Sequence, residues 1–423
     1  MTFEEVRALQ LTKVQALLER AAATNDFYRP RLQDVSEIRS LEEFAARVAT
    51  VAKADFVADQ DLDPPYGRRH AHALALGQPL LVATTSGTTG QGVEIHAQTA
   101  EELTGTLACY EHLYRWAGLE RGDSLFLGLP ITMMAGGQLE LAGGEAYGLT
   151  VFPGGSYDAR RKVELMRRFR PSCVLVNTSY LGRLGTMLDG ETWPGLKCLI
   201  SGGESAGLSW LRRLESQWGV PVHDRYGSSQ AGTDHMLSCR VGRMLHNVDP
   251  YVLVEIVDPD TGRHVADGEE GELVITNLYR LDTPLIRCRI GDRAVYREPS
   301  YCGCGIPFMG VELATISRAD DMTKIKNVNV WPQAVDDVVF GFDFVSEYEV
   351  VLTTSDAGAD VATVRVAPSR AVAEREAGEL AAALRDRVGI RFEIETTQPG
   401  ELRFEDNKAR RWRDLREHVV ATR

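Results

Sequence analysis

Apolar residues fall at two different periods along this chain, and the change of period divides it. Over residues 4–23, Val6, Leu9, Val14, Leu17, Leu18 and Ala21 recur at helical spacing with charge between them, which predicts a helix. The run Asn25-Asp26-Phe27-Tyr28-Arg29-Pro30 stops it. A short helical run at 40–48 leads to an apolar stretch, Leu80 to Ala83. That stretch opens into Thr84-Thr85-Ser86-Gly87-Thr88-Thr89-Gly90, after which Val93 and Ile95 resume a strand-like alternation. Helices are then predicted at 100–116, up to Ala146, at 159–169 and near 180–188. Strands are predicted at 124–129, 149–152, 173–176 and 198–200. Strands alternating with helices across short turns indicate parallel sheets covered on both faces. From Tyr251 the texture becomes hairpin-rich and antiparallel, with VLVEIVD and ELVIT flanking a Gly-containing turn. The last stretch holds strands at 347–352, 362–366 and 391–395 and a helix at 371–388, the content of a small α+β domain.

A chain of 423 residues is long enough for about two or three domains. Lys and Arg number 47 against 60 Asp and Glu, and the net charge of -13 argues against a general nucleic-acid or membrane-surface binder. The opening MTFEEVRALQ lacks the basic-then-apolar layout of a signal peptide. The charge-free stretches 71–93 and 124–139 are broken by Pro, Gly and polar residues and do not read as membrane spans. Seven scattered cysteines suit a reducing compartment, and a cytoplasmic location is expected.

Three groups of residues could carry chemistry. Glycines in the loop at 84–90 let backbone N–H groups converge, and its hydroxyls add donors suited to phosphate oxygens. No G-K-[ST] follows, so this is not a Walker A loop. Gly203-Glu204-Ser205-Ala206-Gly207 spells G-x-S-x-G between a strand and a helix. A serine hydrolase is therefore the alternative of another class, with Ser205 as nucleophile, Asp224 or Asp234 as acid, and His235, His246 or His264 as base. Cys239, His246, Cys302 and Cys304 form a ligand set suited to tetrahedral Zn²⁺, with buried unpaired cysteines as the plainer reading. Cys109, Cys173, Cys198 and Cys288 read as core.

Taken in order, these motifs resemble the adenylate-forming (acyl-CoA synthetase-like) superfamily. Thr85, Ser86, Gly87, Thr88, Thr89 and Gly90 match its T-S-G-T-T-G-K-P loop, with Gln91 in place of the Lys. Gly202, Gly203 and Glu204 resemble its G-G-E step. Tyr226, Gly227, Ser228, Ser229 and Gln230 resemble Y-G-x-T-E, with Gln230 in place of the Glu that holds Mg²⁺. Thr283 to Asp292 resembles P-L-I-R-Y-R-T-G-D, and Arg318 and Asp320 resemble the G-R-x-D hinge. Residues 324–332 follow K-I-R-G-x-N-V-x-P with Asn327 where Gly is usual, and Lys408 stands in a G-K-A-x-R-like segment. The N-terminal helix followed by an N-x-F-Y-R step is similar to the start of the phenylacetate-CoA ligase-like branch, some members of which use a Cys…His plus C-x-C-G pattern for zinc.

The resemblance implies an α/β fold. A large N-terminal adenylation domain, 1–317, would carry stacked, largely parallel sheets with helices and a β-rich subdomain. A small mobile α+β lid, 318–423, would hinge near Asp320. It also implies an ATP- and Mg²⁺-dependent ligase that converts a carboxylic, expected aryl, acid to acyl-AMP and passes it to an acceptor. Thr85 to Gly90 would hold the outer phosphates, Tyr226 and the Gly202–Glu204 step adenine, and Asp292 the ribose. Arg318 and Lys408 would be catalytic, and Met133, Met134, Ala135 and Gly136 would wall the acyl pocket. Coenzyme A is the first acceptor expected. The departures at Gln91, Gln230 and Asn327 leave open an amine acceptor, as in an amide synthetase, or nitrite as the activated oxyanion with an aryl amine as attacker. No nucleic-acid or membrane partner is expected, and a homodimer is left open.

Overall fold

Helix α1 (Phe3–Thr24) begins where Thr2 caps it: its hydroxyl accepts from the Glu5 N–H, and the Glu5 carboxylate accepts from the Thr2 N–H at 2.8 Å. Its buried stripe is Val6, Gln10, Val14, Leu17, Leu18 and Ala21. Gln10, not Leu9, occupies one inward position, because its amide donates to the Asp249 carbonyl at 3.0 Å. Asn25 ends the helix, giving its side-chain N–H to the Arg69 carbonyl and accepting from the Tyr28 N–H. The computed structural model describes residues 1–423 apart from 34, 36, 86–92, 205, 319–321, 327, 356–357, 399–400, 403–410 and 417–423.

Two compact units result. The first comprises Met1–Val176, Thr192–Gly203 and Val220–Ile316, and the second Asn177–Glu191, Glu204–Gly219 and Ser317–Arg423. In the first, helices α2 (Leu41–Arg47), α3 (Lys53–Leu62) and α4 (Ala71–Ala75) precede an antiparallel hairpin of β1 (Leu80–Thr84) and β2 (Ile95–Thr99). Helix α5 (Leu103–Trp116) then leads to the main sheet. Its parallel strands are β3 (Ser124–Leu127), β4 (Thr150–Pro153), β5 (Cys173–Leu175), β6 (Cys198–Gly202) and β7 (Val222–Ser228). The crossovers between these strands contain, in chain order, α6 (Ala135–Tyr147), α7 (Ala159–Phe169), α8 (Thr178–Leu188) and α9 (Leu208–Trp218).

The antiparallel strands join the parallel ones edge to edge. They are β8 (Thr233–Ser238), β9 (Met244–Asn247), β10 (Val252–Val257), β11 (Glu270–Asn277), β12 (Cys288–Arg297) and β13 (Gly310–Glu312), and the sheet runs β4-β3-β5-β6-β7-β8-β9-β13-β12-β11-β10. Strand β10 is buried along its whole length, including Glu255, whose carboxylate takes two 3.0 Å hydrogen bonds from Arg287.

The second unit holds the helices α8 and α9, the short β14 (Ser317–Arg318), and a hairpin of β15 (Thr323–Ile325) and β16 (Val328–Val330). Helix α10 (Pro332–Val339) follows, and then a sheet ordered β19-β18-β17-β20 from β17 (Val345–Thr354), β18 (Asp360–Pro368), β19 (Glu393–Thr396) and β20 (Trp412–Asp414). Helix α11 (Glu374–Val388) buries Leu380 and Leu384. Among the described residues no helix is long and apolar enough to cross a membrane.

Two stability predictions follow from buried charge. Glu255→Ala leaves the Arg287 guanidinium, only 4% exposed, without its counter-charge, and should cost about 3–5 kcal/mol, read as a lower urea midpoint. The second concerns pH. Burial pushes the carboxyls of Asp224 and Asp249 up to about 7 against their hydrogen bonds, and that of Glu140 up to about 8 against Arg225. Folded, these groups hold protons that the unfolded chain has released, so they subtract stability as pH rises from the ordinary carboxylate range through 7. Burial depresses His70, His96 and His235, whose contribution is complete about one pH unit above their ordinary 6.5 and is lost as pH falls through and below it. Burial lowers His112, His223 and His264 as well. Unfolded imidazoles shed their last protons only about one pH unit above 6.5, so it is from about pH 7 towards 8 that the carboxyl slope dominates. There unfolding free energy should fall, and less steeply in Asp249→Asn. A flat or rising profile would contradict this.

Candidate active site

Strand β7 organises the site because its successive side chains point to opposite faces. On one face Arg225 is buried between carboxylates. It donates to Glu140 of α6 at 2.8 Å and to Asp234 of β8, while Tyr114 donates to Glu140 at 2.7 Å and Tyr110 to Asp234 at 3.3 Å. On the other face the Tyr226 hydroxyl donates to Asp292 Oδ2 at 2.6 Å, and the Tyr226 ring meets His235 edge-on at 5.5 Å. Asp292 lies 66 positions further along the chain, on β12. The two residues assigned from sequence to adenine and ribose are thus hydrogen-bonded partners.

Glycine is required where strands crowd this corner. A Cβ on Gly202 would come within 2.5 Å of Arg225 Cγ and 2.9 Å of its carbonyl oxygen. One on Gly227 would meet Asp234 and the Thr233 carbonyl at 2.5 Å or less. The β7–β8 register shifts between Tyr226 and Gly227, which turns the end of the strand. Ser228 then accepts the Ala231 N–H at 3.1 Å, and Ser229 and Gln230 follow, half-buried.

The base of the Thr/Gly loop is closed by Thr85, whose N–H donates to the Glu94 carbonyl and whose hydroxyl accepts the Glu94 N–H, both at 3.1 Å. Ser86, Gly87, Thr88, Thr89 and Gly90 lie outside the described residues. Sequence reasoning missed Glu94. It is fully buried, accepts from Gln230 Nε2 at 3.0 Å, and has Lys53 Nζ at 3.8 Å and His96 Nε2 at 3.5 Å. The signal was legible as Glu94-Ile95-His96, two polar residues on one face of a strand. Burial lowers His96 to about 4, with Arg69 adding to the effect against Glu94, so the ring is neutral at pH 7. Burial opposes ionisation of Glu94, but His96, Lys53 and Gln230 outweigh it and hold its carboxyl below the ordinary range.

The segment assigned to the acyl pocket is tied to β1 through the Met133 carbonyl, which accepts the Thr84 N–H at 2.8 Å. Met133 and Met134 are exposed, whereas Ala135 is buried and begins α6, with Gly136 half-buried behind it. In the second unit the Glu204 carboxylate accepts from the Ser179 hydroxyl at 2.9 Å, and Arg318 is exposed on β14. Lys408, Asp320, Asn327 and Ser205 lie outside the described residues. The partners a hydrolase would need are engaged elsewhere. His235 bonds Asn247, His246 the Phe308 carbonyl and His264 the Val265 carbonyl. Among the described residues none of these histidines hydrogen-bonds Asp224 or Asp234.

The four residues expected to bind metal do converge. The ligand atoms of Cys239, His246, Cys302 and Cys304 all lie within 4.8 Å of one another. Cys239 and Cys302 sulfurs are 3.4 Å apart, and His246 Nε2 is 3.2 Å from Cys304 Sγ. His246 Nδ1 faces the Phe308 carbonyl at 3.3 Å, which turns Nε2 towards the thiols. Burial resists ionisation of Cys239, but hydrogen bonds from His246, the Gly242 backbone and Cys302 bring it down to about 6. Three sulfurs and one imidazole nitrogen, clustered in this way, fit a closed tetrahedral zinc site.

A family model described as AMP-binding enzyme matches residues 6–278, and one described as AMP-binding enzyme C-terminal domain matches residues 327–416. The chain is 25% identical to a phenylacetate-coenzyme A ligase of Pseudomonas putida, over 96% of this chain and 93% of that protein. It is 26% identical to a phenylacetate-coenzyme A ligase of Thermus thermophilus, over 98% and 97%. A solved 2-hydroxyisobutyryl-CoA ligase in its postadenylation state superposes with a TM-score of 0.88 at 24% identity, covering 100% of this chain and 92% of that one, a likeness of fold. The chain belongs to the AMP-binding enzymes, the adenylate-forming superfamily, is similar over nearly its whole length to phenylacetate-coenzyme A ligases, and is an AMP-forming ligase.

Proposed function

We propose that this ligase activates a carboxylic acid, of the aryl class, as acyl-AMP and transfers the acyl group to coenzyme A. The observation that carries the reading is the Tyr226–Asp292 hydrogen bond at the end of β7. It fixes a flat aromatic face beside a carboxylate able to accept ribose hydroxyls, the pair of functions a nucleoside needs. The phenylacetate-coenzyme A ligases among the relatives support an aryl acid and coenzyme A.

In this reading a substrate carboxylate oxygen attacks the α-phosphorus of ATP, the bond to the bridging oxygen breaks, and pyrophosphate leaves. The coenzyme A thiol then loses its proton and attacks the acyl carbon, expelling AMP. Thr85 anchors the first residue of the loop that would receive the outer phosphates, and Gly202 and Gly203 give the adenine edge a close backbone approach. Lys408 would meet the converging negative charges of carboxylate and α-phosphate, with Arg318 as a second cation, in a segment 318–423 acting as the lid. Bound Mg²⁺ would supply neutralisation of the phosphate charge, and Gln230 offers it an amide oxygen.

Pyrophosphate exchange into ATP should depend on a carboxylic acid, and Lys408→Ala should lower it by roughly 10²–10³, the usual loss for one charge-stabilising group. Coenzyme A should stimulate AMP release and yield a thioester mass. Stimulation only by an amine, or by nitrite with an aryl amine, would replace the coenzyme A assignment. Exchange untouched in Lys408→Ala would contradict the adenylation reading itself.

The cysteine cluster is proposed to hold structural Zn²⁺. Protein purified without added metal should carry about one zinc per chain, and Cys302→Ser with Cys304→Ser should lose it along with several degrees of melting temperature. Metal-free protein of unchanged stability would return the four residues to the core.

A further inference from the structure

Gln230 and Glu94 are 136 positions apart and come from different strands' ends, yet their side chains are paired. The amide nitrogen of Gln230 is the donor in that 3.0 Å bond, so its carbonyl end is turned away from Glu94. Gln230 is also held by its backbone, since Arg280 donates to its carbonyl at 3.2 Å. Glu94 itself is tied in through its backbone. It is fully buried, its backbone is bonded to Thr85 in both directions, and Gln60 accepts the N–H of the next residue at 2.8 Å. Its Oε1 is buried and faces the neutral His96 ring, with Nε2 at 3.5 Å, while Lys53 Nζ stands 3.8 Å from Oε2. The site thus carries a neutral amide oxygen at the end of β7 and a fixed carboxylate directly behind it.

We propose that Glu94 is the positioning residue for the ATP-bound divalent cation, orienting the Gln230 amide oxygen towards the cation and supplying from behind the negative charge that a glutamine lacks. This rests on the ATP-dependent reading above. A hard cation favours oxygen ligands and charge, and a ligand's hydrogen-bonded partner transmits part of its charge through the bond. Thr85 and Glu94 share a pair of backbone bonds, so the same carboxylate is also registered with the loop proposed to take the phosphates.

The pair can be exchanged. Glu94→Gln keeps an acceptor for the Gln230 amide and removes the charge. Glu94→Gln combined with Gln230→Glu reverses the hydrogen bond and moves the charge to the position facing the cation. Mn²⁺ binding in the presence of α,β-methylene-ATP, followed by loss of the free Mn²⁺ resonance signal, reads the cation site without turnover. Glu94→Gln should weaken Mn²⁺ binding about 10-fold, at the lower end of the usual effect for a ligand's partner. The exchanged pair should return it to within about 3-fold of wild type. Equal Mn²⁺ affinity in wild type and Glu94→Gln overturns the proposal, as does an exchanged pair about 10-fold or more weaker than wild type. The second comparison stands if the single variant does not fold. Wild-type protein that exchanges pyrophosphate while failing these comparisons refutes the role of Glu94 alone, whereas wild type with no exchange for any acid refutes the ligase reading.

Discussion

The structure depends on one strand obeying two neighbours. Strand β7 runs parallel to β6 and antiparallel to β8, so the parallel and antiparallel halves of the sheet meet there. Such a junction leaves residues 226–228 of β7 without a partner on the β6 side, since β6 stops at Gly202 opposite Arg225 while β8 stays paired as far as Ser228. Arg225 fixes the strand from one face by hydrogen bonds to Glu140 and Asp234. Tyr226 fixes it from the other by its bond to Asp292. Removing Arg225 would leave Glu140 and Asp234 without the guanidinium between them.

The regular alternation of the parallel half was legible because each strand there is a short apolar run and each helix has a clear stripe. The prediction at 159–169 coincides with α7, and 198–200 falls inside β6. Strands β8 and β9 were not legible. Their buried positions include Thr233, His235, Ser238, His246 and Asn247, which are polar and go inside only because tertiary partners satisfy them. Helices α3 and α4 were missed for a related reason. The buried residues of α3 are Phe56 and Asp59, the latter held by Arg68 at 2.7 Å and the Arg69 N–H at 3.1 Å. Pattern alone cannot foresee a buried aspartate.

The site was legible in its motifs and not in its pairings. Tyr226 and Asp292 were each found from local sequence, but their contact is a product of sheet order, with β7 and β12 separated in the chain by the four strands β8, β9, β10 and β11. The four-residue thiol and imidazole cluster was foreseen from residue types, and the fold brings together Cys239 just after β8, His246 on β9 and the two cysteines of the segment before β13. Glu94 escaped because it was read as one polar position of an alternating strand. Its meaning depends on Gln230, where the sequence departs from the family it resembles. A departure that looks like the loss of a charge is accompanied in space by a carboxylate 3.0 Å away.

The central claim is that a carboxylate oxygen of the substrate becomes bonded to the α-phosphorus of ATP. A carboxylic acid labelled with heavy oxygen in both carboxylate positions, turned over with ATP and coenzyme A, tests this directly by the mass of the released AMP. The account predicts one labelled oxygen in each AMP formed and none in pyrophosphate. Unlabelled AMP, or label in inorganic phosphate accompanied by ADP, would contradict it.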